Sequence, residues 1–210
     1  MTLTVEQVMT AAPVVPVMVI EKLEHAVPLA QALTRGGLKA LEITLRTPVA
    51  LDAIRAIKAA MPDAMVGAGT IVSERDLDAA LEAGASFLVS PGTTPQLATA
   101  AASCGVPMLP GVASPSEAMQ LFEKGFTHLK FFPAEAAGGI PMLKAIGGPL
   151  PQLTFCPTGG INPDNASQYL ALSNVACVGG SWMAPQALVN AGAWGDIEAL
   201  AKAAAALGVS

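Results

Sequence analysis

Eight short β-branched or apolar runs recur along 210 residues, at positions 14–20, 40–46, 65–71, 87–91, 107–112, 128–133, 154–159 and 175–181. Segments of helical periodicity separate them, among them HAVPLAQALTRGG, VALDAIRAIKAAM and SERDLDAALEAG. A parallel strand can be rejoined only through a long crossover, which a helix supplies, so this alternation points to parallel βα units. Several helical segments end in glycine, as at Gly36–Gly37, Gly84, Gly105 and Gly125, where a left-handed cap is favoured. Others open on a capping residue and an acid, as at Ser73–Glu74 or Ser114 with Glu117. Eight units with almost no spare loop predict one α/β domain over residues 1–210, a (β/α)8 TIM barrel with a short N-terminal helix. An open doubly wound sheet would have fewer strands and a Gly-rich first turn, and the first turn here, EKLEHAV, has no glycine.

Composition narrows the function classes. Hydrophobic residues make up 52% and charged residues 13%, which excludes disorder and suggests that part of the surface is buried again in a subunit interface. Net charge is −5 with no basic run, so a nucleic-acid partner lacks its electrostatic footprint. A small anionic substrate needs only a local positive pocket. No apolar stretch approaches the roughly 20 residues of a membrane span, so no membrane role is expected. The opening MTLTVEQVMTAAP lacks a basic start followed by an apolar core and reads as a short helix, which makes the cytoplasm the default location. Cys104, Cys156 and Cys177 lie in apolar surroundings and read as reduced core thiols.

Active residues of such a barrel gather at the C-terminal ends of its strands. Two charged residues, Glu42 and Lys130, interrupt strands that are otherwise apolar, and each is expensive to bury without a partner. Alternation sets their direction. Leu41, Ile43 and Leu45 form the apolar face of the second strand, so Glu42, Thr44 and Arg46 point inward. Lys130 and Phe132 share the inward face of the sixth. An uncharged amine in a dry cavity can attack a carbonyl, and the iminium it forms is an electron sink for cleaving the adjacent C–C bond. Glu42 would move the protons. Arg46 suits a carboxylate held by two hydrogen bonds, with Thr70 as a further donor. Phe132 would wall a small methyl or methylene group, and Pro91, which ends its strand, would add to that wall. The same charges would also suit a buried ion pair that only fills the barrel.

A second site is read at the last two strand ends, Thr158–Gly159–Gly160 and Gly179–Gly180–Ser181. A Gly-Gly pair by itself means a tight turn. Two such pairs, after strands seven and eight, stand where these barrels bind phosphate, with Ser181 adding a hydroxyl. His25 and His128 are isolated, so no metal set is expected.

The stretches PVVPV, LEITLRTP, VGAGT, VSPG, LPGV, LKFFPAE, FCPTGGI and VGGSW occur in this order from Pro13 toward the C-terminal helix. In them the chain resembles the 2-keto-3-deoxy-6-phosphogluconate (KDPG) aldolases, which also act on 4-hydroxy-2-oxoglutarate (KHG) and serve the Entner–Doudoroff pathway. The resemblance implies Lys130 as Schiff-base lysine, Glu42 as general acid/base, and Arg46 with Thr70 around the carboxylate of pyruvate. It places the phosphate of the aldehyde near Gly159, Gly160, Gly180 and Ser181. It further implies a metal-independent class I aldolase without cofactor, a homotrimer, and reversible cleavage to pyruvate and glyceraldehyde 3-phosphate. Where some relatives carry a basic residue at the end of the first strand, this chain has Met18–Val19–Ile20. The alternatives are an aldolase for the galactonate epimer, a phosphosugar isomerase or synthase that uses Lys130 electrostatically, and a non-catalytic metabolite-binding trimer.

Overall fold

The computed structural model describes residues 3–208. The expected N-terminal helix is α1 (Val5–Met9), closed by a capping box between Thr4 and Gln7. Then follow β1 (Val14–Met18), a 3-10 turn at Leu23–His25, α2 (Ala26–Arg35) and β2 (Ala40–Thr44). The alternation continues with α3 (Ala50–Ala60), β3 (Met65–Gly69), α4 (Glu74–Glu82), β4 (Phe87–Val89) and α5 (Pro95–Ser103). The fifth apolar run gives two pieces, β5 (Met108–Leu109) and β6 (Gly111–Val112), before α6 (Pro115–Glu123) and β7 (His128–Phe131). The chain ends with α7 (Gly139–Gly147), β8 (Thr154–Pro157), α8 (Ala166–Leu170), β9 (Val178–Gly180), α9 (Gln186–Asn190) and α10 (Trp194–Ala205). Gly37, Gly84, Gly105 and Gly125 take positive φ after their helices, and Ser114 with Glu117 forms the capping box of α6.

Every strand pair is parallel. Pairing runs β5-β4-β3-β2-β1-β9 in one sheet and β6-β7-β8 in a second. This corrects the expectation of a continuous, closed eight-stranded ladder. One interruption has a chemical cause, since Pro110 has no N–H to donate and parts β5 from β6. Side chains span that seam: Gly111 N–H donates to Ser90 Oγ at 3.1 Å, and Thr93 Oγ1 donates to Gly111 O at 3.1 Å. The other interruption lies between β8 and β9, which meet only at isolated bridges, Thr158 with Gly179 and Phe155 with Val175.

The sheets bury apolar residues on both faces, in two separate clusters. Leu41, Ile43, Leu88, Leu129, Phe131 and Phe155 pack outward against the helices. Val15, Ala40, Phe87, Val89, Leu109 and Cys156 pack inward, together with Val8 and Met9 of α1. The period-2 alternation along each strand produces this division. Among the described residues, no helix is long and apolar enough to cross a membrane.

Candidate active site

Glu42 and Lys130 lie on β2 and β7, with their strand neighbours Leu41, Ile43, Leu129 and Phe131 all in the outer cluster. Their side chains therefore share the inner face, where Lys130 Nζ donates to Glu42 Oε1 at 3.2 Å. Glu42 is 3% exposed and Lys130 5%. Backbone choices across the sheet make room for the pair. A Cβ on Gly69 would collide with the Glu42 carboxylate, and one on Gly67 with the Phe87 ring. The residues in register beside Lys130 are Gly111 and Cys156, which are small. The Lys130 ammonium lies 5.5 Å from the centroid of the Phe132 ring, within range of a cation–π contact.

Next to this pair opens a cavity of about 460 Å³. Arg46, Phe132, Gly159, Gly160, Gly180 and Ser181 line it, which unites six of the ten residues singled out from sequence. Arg46 is exposed, and its Nε–H donates to Thr44 Oγ1 at 3.2 Å; the Thr44 hydroxyl in turn donates to Met18 O at 2.8 Å. Among the described residues no carboxylate is paired with Arg46, so its guanidinium is free for an anion in the cavity. Gly159 and Gly160 both have positive φ, 101° and 80°, a backbone that L side chains rarely adopt. Their N–H groups donate to no protein acceptor among the described residues. Successive free N–H groups of this kind form an anion-binding concavity.

Glu42, Lys130, Thr70 and Pro91 are not among its lining residues; Phe132, whose ring centroid lies 5.5 Å from Lys130 Nζ, joins the buried pair to it. Thr70 directly follows Gly69 and takes φ +63°, a strained conformation for a β-branched residue and of the kind that gathers at functional sites. Pro91 packs by its backbone against Gly111. The lining also includes Thr158, read from sequence only as part of the Thr158–Gly159–Gly160 run, and Val17, Val19 and Gln186, to which sequence reasoning gave no role. Thr158 is buried and presses against Gly179 where β8 meets β9. Val17 and Val19 make an apolar wall at the end of β1. Gln186, on α9, is tied to Glu21 at 3.2 Å and Asn190 at 3.1 Å. Gln186 carries no local signal in the sequence. Among the described residues no three His, Cys, Asp or Glu side chains cluster as a metal would need. Cys156 and Cys177 are buried free thiols; a hydrogen bond between them and burial push the Cys177 thiol well up in pKa.

A parallel α/β fold that pairs a buried lysine with a carboxylate, beside a cavity lined by a guanidinium and free backbone N–H groups, fits a lyase of the Schiff-base aldolase class. The family model for KDPG and KHG aldolases matches residues 5–200, and the chain belongs to that family. It is 52% identical over 201 residues to the 2-dehydro-3-deoxy-phosphogluconate aldolase of Pseudoalteromonas atlantica, covering 96% of this chain and 94% of that protein. It is 51% identical over 199 residues to the KHG/KDPG aldolase of Escherichia coli strain K12, covering 95% and 93%. A crystal structure of the KDPG aldolase from Legionella pneumophila superposes with a TM-score of 0.94 at 50% identity, covering 95% of this chain and 97% of that one. That protein was captured with pyruvate as a covalent carbinolamine intermediate.

Proposed function

We propose that this chain is a class I aldolase that reversibly cleaves KDPG to pyruvate and glyceraldehyde 3-phosphate, and also cleaves KHG to pyruvate and glyoxylate. The observation that carries this reading is the buried Lys130–Glu42 pair, with Nζ and Oε1 3.2 Å apart beside a cavity that holds an unpaired guanidinium. Relatives named for the KDPG activity, and others named KHG/KDPG aldolase, support it.

In this mechanism Lys130 Nζ adds to the C2 carbonyl, and Glu42 supplies the proton with which the carbinolamine loses water. The iminium draws in the electron pair of the C3–C4 bond while Glu42 removes the C4 hydroxyl proton, which releases the aldehyde. Protonation of the enamine at C3 and hydrolysis return the lysine and free pyruvate. Arg46 and Thr70 hold the pyruvate carboxylate, and Phe132 and Pro91 wall its methyl group. The N–H groups of Gly159, Gly160 and Gly180 and the Ser181 hydroxyl bind the phosphate. The iminium is the electron sink, so the chemistry requires neither metal nor cofactor. The enzyme works as one domain over residues 1–210, a single (β/α)8 barrel assembled from the two sheets, in a cytoplasmic homotrimer.

Treatment with pyruvate and borohydride tests the covalent step. A reduced pyruvate adduct mapped to Lys130 by peptide mass is the expected result. Protein that binds pyruvate yet forms no adduct would make Lys130 an electrostatic group and end the Schiff-base assignment.

A further inference from the structure

Glu135 and Tyr169 lie outside the cavity, and the mechanism above uses neither. Glu135 is an exposed residue in the turn between β7 and α7, whereas Tyr169 on α8 is fully buried. The Tyr169 hydroxyl donates to Glu135 Oε1. Burial, this hydrogen bond and the Glu135 charge all push the phenol well up in pKa, so it stays a donor at any working pH.

The pair grips the glycine loop that follows β8. A Cβ on Gly160 would collide with Cβ and Cγ of Glu135, so the carboxylate stem packs directly on that residue. Glu135 N–H donates to Gly159 O at 3.1 Å, and Ala134 N–H donates to Thr158 O at 2.8 Å. Asn165 Nδ2–H donates to Gly160 O at 3.1 Å. Both glycine carbonyls are thereby held by hydrogen bonds, and among the described residues both N–H groups are left without a protein acceptor. Gly139, with φ +56°, admits the tyrosine, since a Cβ there would come within 3.0 Å of its hydroxyl.

We infer that Glu135, clamped by Tyr169, is a positioning residue that holds the Gly159–Gly160 loop in the conformation that binds the phosphate of the substrate. This rests on the phosphate reading of the cavity given above. The role is one of positioning, because the Glu135 carboxylate is engaged by the Tyr169 hydroxyl and its stem packs on Gly160. The clamp acts on one end of the substrate only, so it should bear on the phosphorylated substrate and not on KHG.

The test compares Tyr169→Phe, Glu135→Ala and Glu135→Gln with the wild-type enzyme. The readouts are kcat and KM for KDPG and for KHG, and competitive inhibition by inorganic phosphate. Loss of one such hydrogen bond should raise KM for KDPG about five-fold in Tyr169→Phe and in Glu135→Ala. Inhibition by phosphate should weaken by the same factor, with kcat and all KHG parameters retained. Glu135→Gln, whose amide oxygen still accepts from the phenol, should behave as wild type. That rescue separates positioning from general damage, and Glu135→Ala answers the question if the buried tyrosine variant does not fold. An equal rise in KM for both substrates would overturn the clamp, as would wild-type KM in both Tyr169→Phe and Glu135→Ala. A wild-type enzyme that cleaves KHG but is indifferent to phosphate would overturn the phosphate reading first, and the clamp with it.

Discussion

Lys130 and Glu42 leave water together on the inner face of the sheets, and each offsets the cost of burying the other. Lys130→Met should therefore remove stability as well as activity. An unpaired buried carboxylate costs about 3–5 kcal/mol, and the double variant Lys130→Met/Glu42→Gln should recover most of it. Turnover should fall by at least about 10³-fold in both, since neither keeps the nucleophile. Urea unfolding beside a turnover assay separates the two effects: unchanged stability in Lys130→Met would refute the pairing, and retained turnover would refute the covalent role. These two residues were legible in sequence because a charge inside an apolar strand stands out and alternation fixes its direction. The reason for Gly69 was not legible. It depends on the register of β2 against β3, which pairs Thr44 with Gly69 and brings the Glu42 carboxylate over that backbone. Glu135 carried no signal for a related reason, since its partner Tyr169 is 34 residues away, on α8.

Each of the eight apolar runs contains a strand, because the alternation that marks a run is also what buries it on two faces. The observed strands stop short of the runs at their C-terminal ends, as at Thr44 before Leu45–Arg46 and Gly69 before Thr70–Ile71. There the chain leaves the ladder to carry the site. The split at Pro110 was equally open to reading, as a residue without an N–H inside a run, and the weak seam between β8 and β9 was not. β7 begins at His128, and that residue gives the element a pH signature. Burial lowers the pKa of His128 from its ordinary 6.5, with the nearby Glu6 of α1 opposing the shift. As pH falls, the unfolded chain takes up this proton before the folded one does. The contribution to stability is thus complete above about pH 6.5, declines as pH drops toward the folded value, and is level below it. Urea midpoints from about pH 7.5 down to about pH 5 should fall less steeply for His128→Gln than for wild type. Parallel profiles would remove His128 from the acid response.

The whole molecule exposes 9198 Å², close to the roughly 9,100 Å² expected of a compact chain of this length. Its surface is ordinary in extent and unusual in chemistry. Only 13% of the residues are charged, and Val72 and Met119 remain 59% and 51% exposed, with Leu23 and Phe122 also large and open. A monomer would keep this apolar area in water, whereas self-association returns part of it to an interior. Sequence could supply the low charge but not the face, because exposure is settled only when α6 and the loop after β3 have been placed. The homotrimer proposed above is the association to test. Light scattering on dilute protein should therefore give three chain masses. Replacing Val72 and Met119 by charged residues in separate variants would then locate the contact, since a substitution inside the interface should shift the mass toward one chain while leaving the fold intact. A wild-type mass of one chain at working concentration would refute the trimer and leave the apolar surface to another partner.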